Sequence, residues 1–190
     1  MRLFLSLLFA GFSVSLLHAE ERGVRFATAE NFLPKLKEIV LVKAGEPGPG
    51  AAKHKAAYTI AKYGEDLNLK EEGPFDIWWV PQNGLPIRVT AQMKFADNQM
   101  RAIKLDDYVG IVTVRGDRLA RPELVTITSQ DDVGPDEKGH LPVQTAKEFK
   151  VDMVVPDGFY ALWVSPDSGA RAKKVTDRFR VLAGKSTALD

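Results

Sequence analysis

Cysteine is absent from all 190 residues of the chain. Its absence excludes disulfides, thiolate zinc sites, cysteine nucleophiles and a lipid-modified cysteine. A charge excess is lacking too, with 26 Lys and Arg against 25 Asp and Glu. Long-range steering toward nucleic acid or an anionic membrane therefore finds no support in net charge. Histidine is scarce: beyond the leading segment only His54 and His140 occur, too few neutral nitrogen ligands for zinc. Catalytic signatures are missing as well. Ser129, Ser165, Ser168 and Ser186 sit outside any G-x-S-x-G elbow, no phosphate loop occurs, and Asp106 and Asp107 point to opposite faces if extended. No cofactor is implied, and the chain reads as a non-enzyme. A strong amphipathic helix is also wanting: Pro34 interrupts 28–37, and 51–61 starts in a Gly/Pro loop.

The first 19 residues, "MRLFLSLLFAGFSVSLLHA", carry one basic residue, Arg2, then a charge-free run from Leu3 to Leu17 and a small Ala19. That is the pattern of a secretory signal peptide. The run is short for a membrane span, which needs about 20 apolar residues. The expectation is export to the periplasm or beyond, cleavage after Ala19, and no stable span afterwards. An exported chain without disulfides must stand on its apolar core, which a 45% hydrophobic composition allows.

What the sequence does have is alternation. Ile87, Val89, Ala91, Met93 and Phe95 alternate with Arg88, Thr90, Gln92 and Lys94. A period of two is a half-buried strand. Segments 66–70 and 148–153 alternate likewise, and 39–42, 110–114 and 124–128 are rich in β-formers. Pro47-Gly48-Pro49-Gly50, Asn83-Gly84 and Pro156-Asp157-Gly158 supply turns between them.

The pattern also repeats. Glu38 to Val42 parallels Glu123 to Ile127, and "GPGAAKH" from Gly48 parallels "GPDEKGH" from Gly134. Leu67 and Leu69 match Phe149 and Val151; Phe75, Trp79 and Val80 match Phe159, Trp163 and Val164; "VTAQMKF" from Val89 matches "VTDRFRV" from Val175. Constant order across five segments indicates a tandem duplication. The division is a signal peptide at 1–19, a linker at 20–37, a first β module at 38–105, a linking strand and loop at 106–122, and a second β module at 123–190. About six short strands per copy point to a mainly β protein built from two tandem, related antiparallel β-sandwiches of immunoglobulin-like type. Either the modules pack on each other, or strand 110–114 completes the first.

Gly/Pro, then Phe/Tyr-x-x-Trp-Val, then a polar turn and an alternating strand, resembles the transthyretin-like and carboxypeptidase-regulatory-like β modules found in tandem in exported bacterial proteins. The resemblance implies a sandwich used for binding or spacing, and it assigns no functional residue.

Several residues invite a functional reading. Trp79 and Trp163, as matched positions, are expected in the cores, with the indole N–H near a turn carbonyl. Trp78 is either buried or an exposed carbohydrate platform. His54 and His140 end the same loop in each copy and read as a copied turn. Asp131, Asp132, Asp136 and Glu137 crowd a glycine loop without a calcium-binding register and read as a solvated turn. Arg115-Gly116-Asp117 spells an adhesion tripeptide but follows a strand where a turn belongs. Lys174, Arg178 and Arg180 share one face of a strand whose counterpart carries only Arg88 and Lys94 as cations. That row is expected to meet an acidic partner, an envelope protein or an acidic polysaccharide, unless it serves only to keep the strand from aggregating. The functional expectation is a non-catalytic binding or spacer protein of the envelope. The alternatives are a carbohydrate-binding module or, less favoured, a hydrolase whose fold brings two carboxylates together.

Overall fold

A computed structural model describes residues 22–32, 35–60, 63–71, 73–96, 99–116 and 122–190. The proposed signal segment and the Asp of the Arg-Gly-Asp tripeptide lie outside the described residues. Fourteen strands and one short 3-10 turn make up the described structure, with no α-helix among those residues.

The first seven strands form one sandwich. They are β1 (Gly23–Ala27), β2 (Leu36–Lys43), β3 (Tyr58–Ile60), β4 (Asp66–Asn68), β5 (Phe75–Pro81), β6 (Ile87–Met93) and β7 (Met100–Lys104). Sheet order is β4-β1-β7 on one side and β3-β2-β5-β6 on the other. The second seven repeat the arrangement: β8 (Val109–Val114), β9 (Pro122–Ser129), β10 (Pro142–Ala146), β11 (Asp152–Pro156), β12 (Gly158–Pro166), β13 (Lys173–Val181) and β14 (Ser186–Leu189). Their orders are β11-β8-β14 and β10-β9-β12-β13, the same pattern seven strands later. The fold is thus mainly β with two tandem sandwiches. All pairings are antiparallel except the first with the last strand of each module, β1 with β7 and β8 with β14. Parallel neighbours need a long crossover, and the whole module serves as that crossover.

The module limits differ from those the sequence suggests. Segment 20–37, read as linker, contains β1, the central strand of the first small sheet. Strand 110–114, read as a link, is β8, the central strand of the second small sheet. The 3-10 turn Leu105–Asp107 joins the modules, and buried Asp106 fastens it by accepting from the Ala29 backbone N–H at 3.1 Å. Alternation at 148–153 gives way to a bend, and the strand starts at Asp152. Its counterpart by topology is β4, so Leu67 and Leu69 do not correspond to Phe149 and Val151.

One alternation rule explains both cores. Val24 and Phe26 of β1, Ile39 and Leu41 of β2, and Phe75, Ile77 and Trp79 of β5 point into the first sandwich. Val112 and Val114 of β8, Val125 and Ile127 of β9, and Tyr160 and Leu162 of β12 fill the second. β8 is apolar on its other face as well. Val109 and Ile111, with Val154 of β11, join the first module's cluster. A strand buried on both faces reads as a near-continuous apolar run, and 109–114 is apolar apart from half-buried Thr113. On β1 the position matching Ile111 is Gly23, and the outer Arg25, which matches Thr113, is exposed and paired with Asp66 at 2.6 Å. The modules therefore pack on each other through the second module's small sheet.

Gln144 fixes that packing. Fully buried on β10, it accepts at Oε1 from the backbone N–H of Leu85 (2.5 Å) and Thr145 (3.0 Å). Its Nε2 donates to the carbonyls of Leu85 and Val154, both at 3.2 Å. All four hydrogen-bonding positions of the amide are thus in use. The tip of the β5–β6 hairpin supplies the room: Gly84 has φ +95°, and a Cβ there would fall 2.0 Å from Gln144 Oε1.

Candidate functional site

The large sheet of each module turns an outer face away from its core, and a loop folds across part of that face. Loop 44–57 covers Val40 and Val42; loop 130–141 covers Thr126 and Thr128. The loops share their turns. In the first, the N–H of Glu46, Ala51 and His54 donate to the carbonyls of Lys43, Gly48 and Ala51. In the second, Asp132, Glu137 and His140 donate to Ser129, Gly134 and Glu137, each 86 positions later.

A tryptophan lies under each loop, and it is not the pair the sequence suggests. Trp78 is paired with Val40 and Arg88; Trp163 is paired with Thr126 and Lys174. A Cβ at Gly48 would fall 2.1 Å from Trp78 Cζ2, and one at Gly134 would fall 2.5 Å from Trp163 Cη2. Arg88 stands over the Trp78 ring at 6.0 Å, and Lys174 over the Trp163 ring at 4.9 Å. So Trp78 is the counterpart of Trp163, and Trp79 corresponds to Val164. Phe75 corresponds to Tyr160, and Phe159 is left on the outer face. The slip is one residue, and one residue exchanges the faces of a strand. Trp79 is core as expected, wholly enclosed and edge-on to Phe32 at 6.2 Å. Its indole N–H, however, meets no acceptor among the described residues. Trp163 is half-buried on the outer face, a correction to its expected place in the core.

The two outer faces share this frame but differ in chemistry. Trp163 Nε1 donates to Thr128 Oγ1 at 3.2 Å, whereas the first module has Val42 at that position and Trp78 Nε1 stays unpartnered. Asp76 occupies the place of Ala161. It is buried, accepts from the Gln92 N–H at 2.9 Å and pairs with Arg88 at 3.4 Å. The first module thus neutralises a cation on this face, Arg88, internally.

The second module does not. Arg178 stands 4.2 Å and Arg180 5.4 Å above the ring of Phe159, which is 44% exposed. Lys174 covers Trp163, with a loose 4.0 Å approach to the exposed Asp177. Neither Arg178 nor Arg180 forms an ion pair with a described residue. Of the three cations the sequence singles out, Arg178 and Arg180 share the Phe159 ring and Lys174 stands over Trp163. Cation–π contacts of this kind are worth about 0.5–1 kcal/mol each at exposed sites. Phe159 was missed as part of the group because it was matched to Phe75. Aligning Tyr160-Ala161-Leu162-Trp163 with Phe75-Asp76-Ile77-Trp78 would have found it.

The acidic loop is used for its own closure. Asp132 accepts from the N–H of Gly134 (2.8 Å) and Leu141 (2.9 Å), and its Oδ1 lies 2.8 Å from His140 Nδ1. Burial works against the carboxylate, yet the His140 and backbone hydrogen bonds hold its pKa below the usual range. Asp136 accepts from Ala172 at 2.7 Å. His54, the counterpart of His140, has its Nδ1 at 3.0 Å from the Pro47 carbonyl. A cavity of about 290 Å³ near the first loop is lined by Lys43, Glu46, Lys55 and Glu71, and Lys43 bridges Glu71 at 2.6 Å. No described helix is long and apolar enough to cross a membrane.

No protein-family model matches the chain, and no curated protein matches it. Among solved structures it is similar to the Bacillus anthracis TIE protein, at 11% identity and a TM-score of 0.29. The match covers 88% of this chain and 32% of that one, so the chain spans about a third of that protein's length. The sandwich architecture rests on the strand pairing described above.

Proposed function

We propose that the chain is an exported, non-catalytic protein of the cell envelope that binds an acidic partner through the outer face of its second module. The first module serves as a fixed spacer. The observation that carries this reading is the set Lys174, Arg178 and Arg180, held over Trp163 and Phe159, in which neither arginine has an ion pair with a described residue. Like charges in a row repel, so an anion placed there lowers their mutual repulsion. Held guanidinium planes present their N–H edges to carboxylates with little further loss of freedom. The signal-like leader and the likeness to transthyretin-like modules support export and a binding role.

Co-sedimentation with a bacterial envelope fraction tests the reading. The mature protein should pellet at low salt and be released as salt rises. Replacing Lys174, Arg178 and Arg180 together by glutamine should abolish pelleting while leaving the circular dichroism spectrum unchanged. Equal pelleting of the variant would remove the face from the account. Sequencing of the secreted product should begin at Glu20.

A further inference from the structure

The anionic face proposed above leaves the class of its partner open, and the exposed apolar residues beside it narrow the choice. Five large apolar side chains stand exposed among the described residues, and three of them belong to this face of the second module. Phe159 lies on β12 beneath Arg178 and Arg180. Val133, 55% exposed, and Leu141, 75% exposed, lie on the loop that crosses the face. Asp132 brings this pair together, since its two carboxylate oxygens accept from the N–H of Gly134 and of Leu141. Gly134 in turn rests against the Trp163 ring. Phe159 and Trp163 share the outer side of β12, about 13 Å apart at a strand rise of roughly 3.3 Å per residue. The face thus carries an apolar pair at one end and two arginines on a ring at the other.

The first module has no such surface. Pro47 and Lys55 stand at the places of Val133 and Leu141, and Pro74 at the place of Phe159. Apolar exposure and unpaired arginines therefore occur together, on one module. A soluble acidic chain is met by the charges alone and leaves Val133 and Leu141 in water. A sugar needs a free ring face, whereas Phe159 carries the arginines and Trp163 has Lys174 over it and Gly134 against it. An anionic bilayer takes both features, with phosphates at its surface for cations and the acyl boundary just beneath for apolar side chains. The loop brings no cationic excess of its own. Asp132 and Asp136 accept from backbone N–H groups, and exposed Asp131 and Glu137 stand with Lys138. Its contribution is the apolar pair, and the arginines supply the charge at short range, within a Debye length.

We infer that the outer face of the second module docks on an anionic lipid bilayer. Val133 and Leu141 enter the headgroup boundary, and Arg178, Arg180 and Lys174 meet lipid phosphates. The inference rests on the anionic-face reading and names its partner.

Sedimentation of the mature protein with vesicles tests it. The protein should sediment with vesicles of phosphatidylglycerol and phosphatidylcholine mixed equally, and stay in solution with phosphatidylcholine alone. A Val133→Asn/Leu141→Asn variant should bind the mixed vesicles about tenfold or more weakly, the factor expected for losing a buried aliphatic side chain. An Arg178→Gln/Arg180→Gln variant should weaken binding likewise. Both should keep the native circular dichroism spectrum, because all four sites are exposed. Soluble polyglutamate supplies an acidic partner without a lipid phase. Polyglutamate binding that depends on the two arginines, with no sedimentation on the mixed vesicles, overturns the bilayer inference and leaves the anionic face standing. Undiminished vesicle binding by the Val133→Asn/Leu141→Asn variant overturns it likewise, since charge alone then holds the protein. Sedimentation as strong with phosphatidylcholine alone as with the mixture, or binding to neither vesicles nor polyglutamate, overturns both readings.

Discussion

Trp79 is enclosed on all sides, with Phe32 edge-on to it and Ile39 and Ile87 as its cross-strand neighbours. Truncation there removes a large apolar body and leaves a cavity. Trp79→Ala should cost about 3–5 kcal/mol in urea denaturation, whereas Trp163→Ala, at a half-buried site, should cost clearly less. Equal losses would contradict the assignment of faces. Tyr160 offers a second test. Burial, reinforced by the charge of Asp157, pushes its phenol up to about 12, and its O–H donates to the Pro156 carbonyl at 3.0 Å. Since the folded-state pKa lies above the unfolded value near 10, stability from this group is complete below pH 10 and declines as pH rises toward 12. Ultraviolet titration at high pH should show a tyrosine ionising near 12 that disappears in Tyr160→Phe. A folded protein whose tyrosines all ionise near 10 would refute it.

Elements divide the roles between the modules. The junction depends on Gln144, whose four hydrogen bonds tie β10 and β11 to the β5–β6 turn. Gln144→Ala removes the partners of the half-buried Leu85 backbone and of the buried Val154 carbonyl, at about 1–3 kcal/mol for a buried group left unsatisfied. The urea midpoint should fall, and small-angle scattering should show a longer particle as the modules separate; an unchanged profile would show the clamp to be dispensable. Most strands were legible in the sequence, because period-two alternation is a direct image of the pleat. Two kinds of information were not. β1 was overlooked because five residues between loops carry little pattern, and its pairing with β7 joins segments far apart. The register of β5 against β12 was misread because Trp78 and Trp79 are adjacent, and composition cannot say which one faces the core. Gln144 gave no signal at all: a lone polar residue in an edge strand looks solvent-facing until its partners are known.

At the scale of the whole molecule, a duplicated sandwich has diverged on matching surfaces. The first module keeps Asp76 beside Arg88, and the second replaces that acid with Ala161, carries Arg178 in place of Gln92 and has Arg180 where the first has Lys94. The basic row itself could be read from alternation; its aromatic support could not, since it depends on the corrected register. Chromatography of the mature protein on an anionic matrix at low salt tests the central claim most directly, with two variants alongside it. One carries Lys174→Gln, Arg178→Gln and Arg180→Gln; the other carries Arg88→Gln and Lys94→Gln in the first module. The native protein and the first-module variant should be retained and elute with rising salt, while the second-module variant should pass through. Equal retention of all three would contradict the claim that the second module carries the binding face.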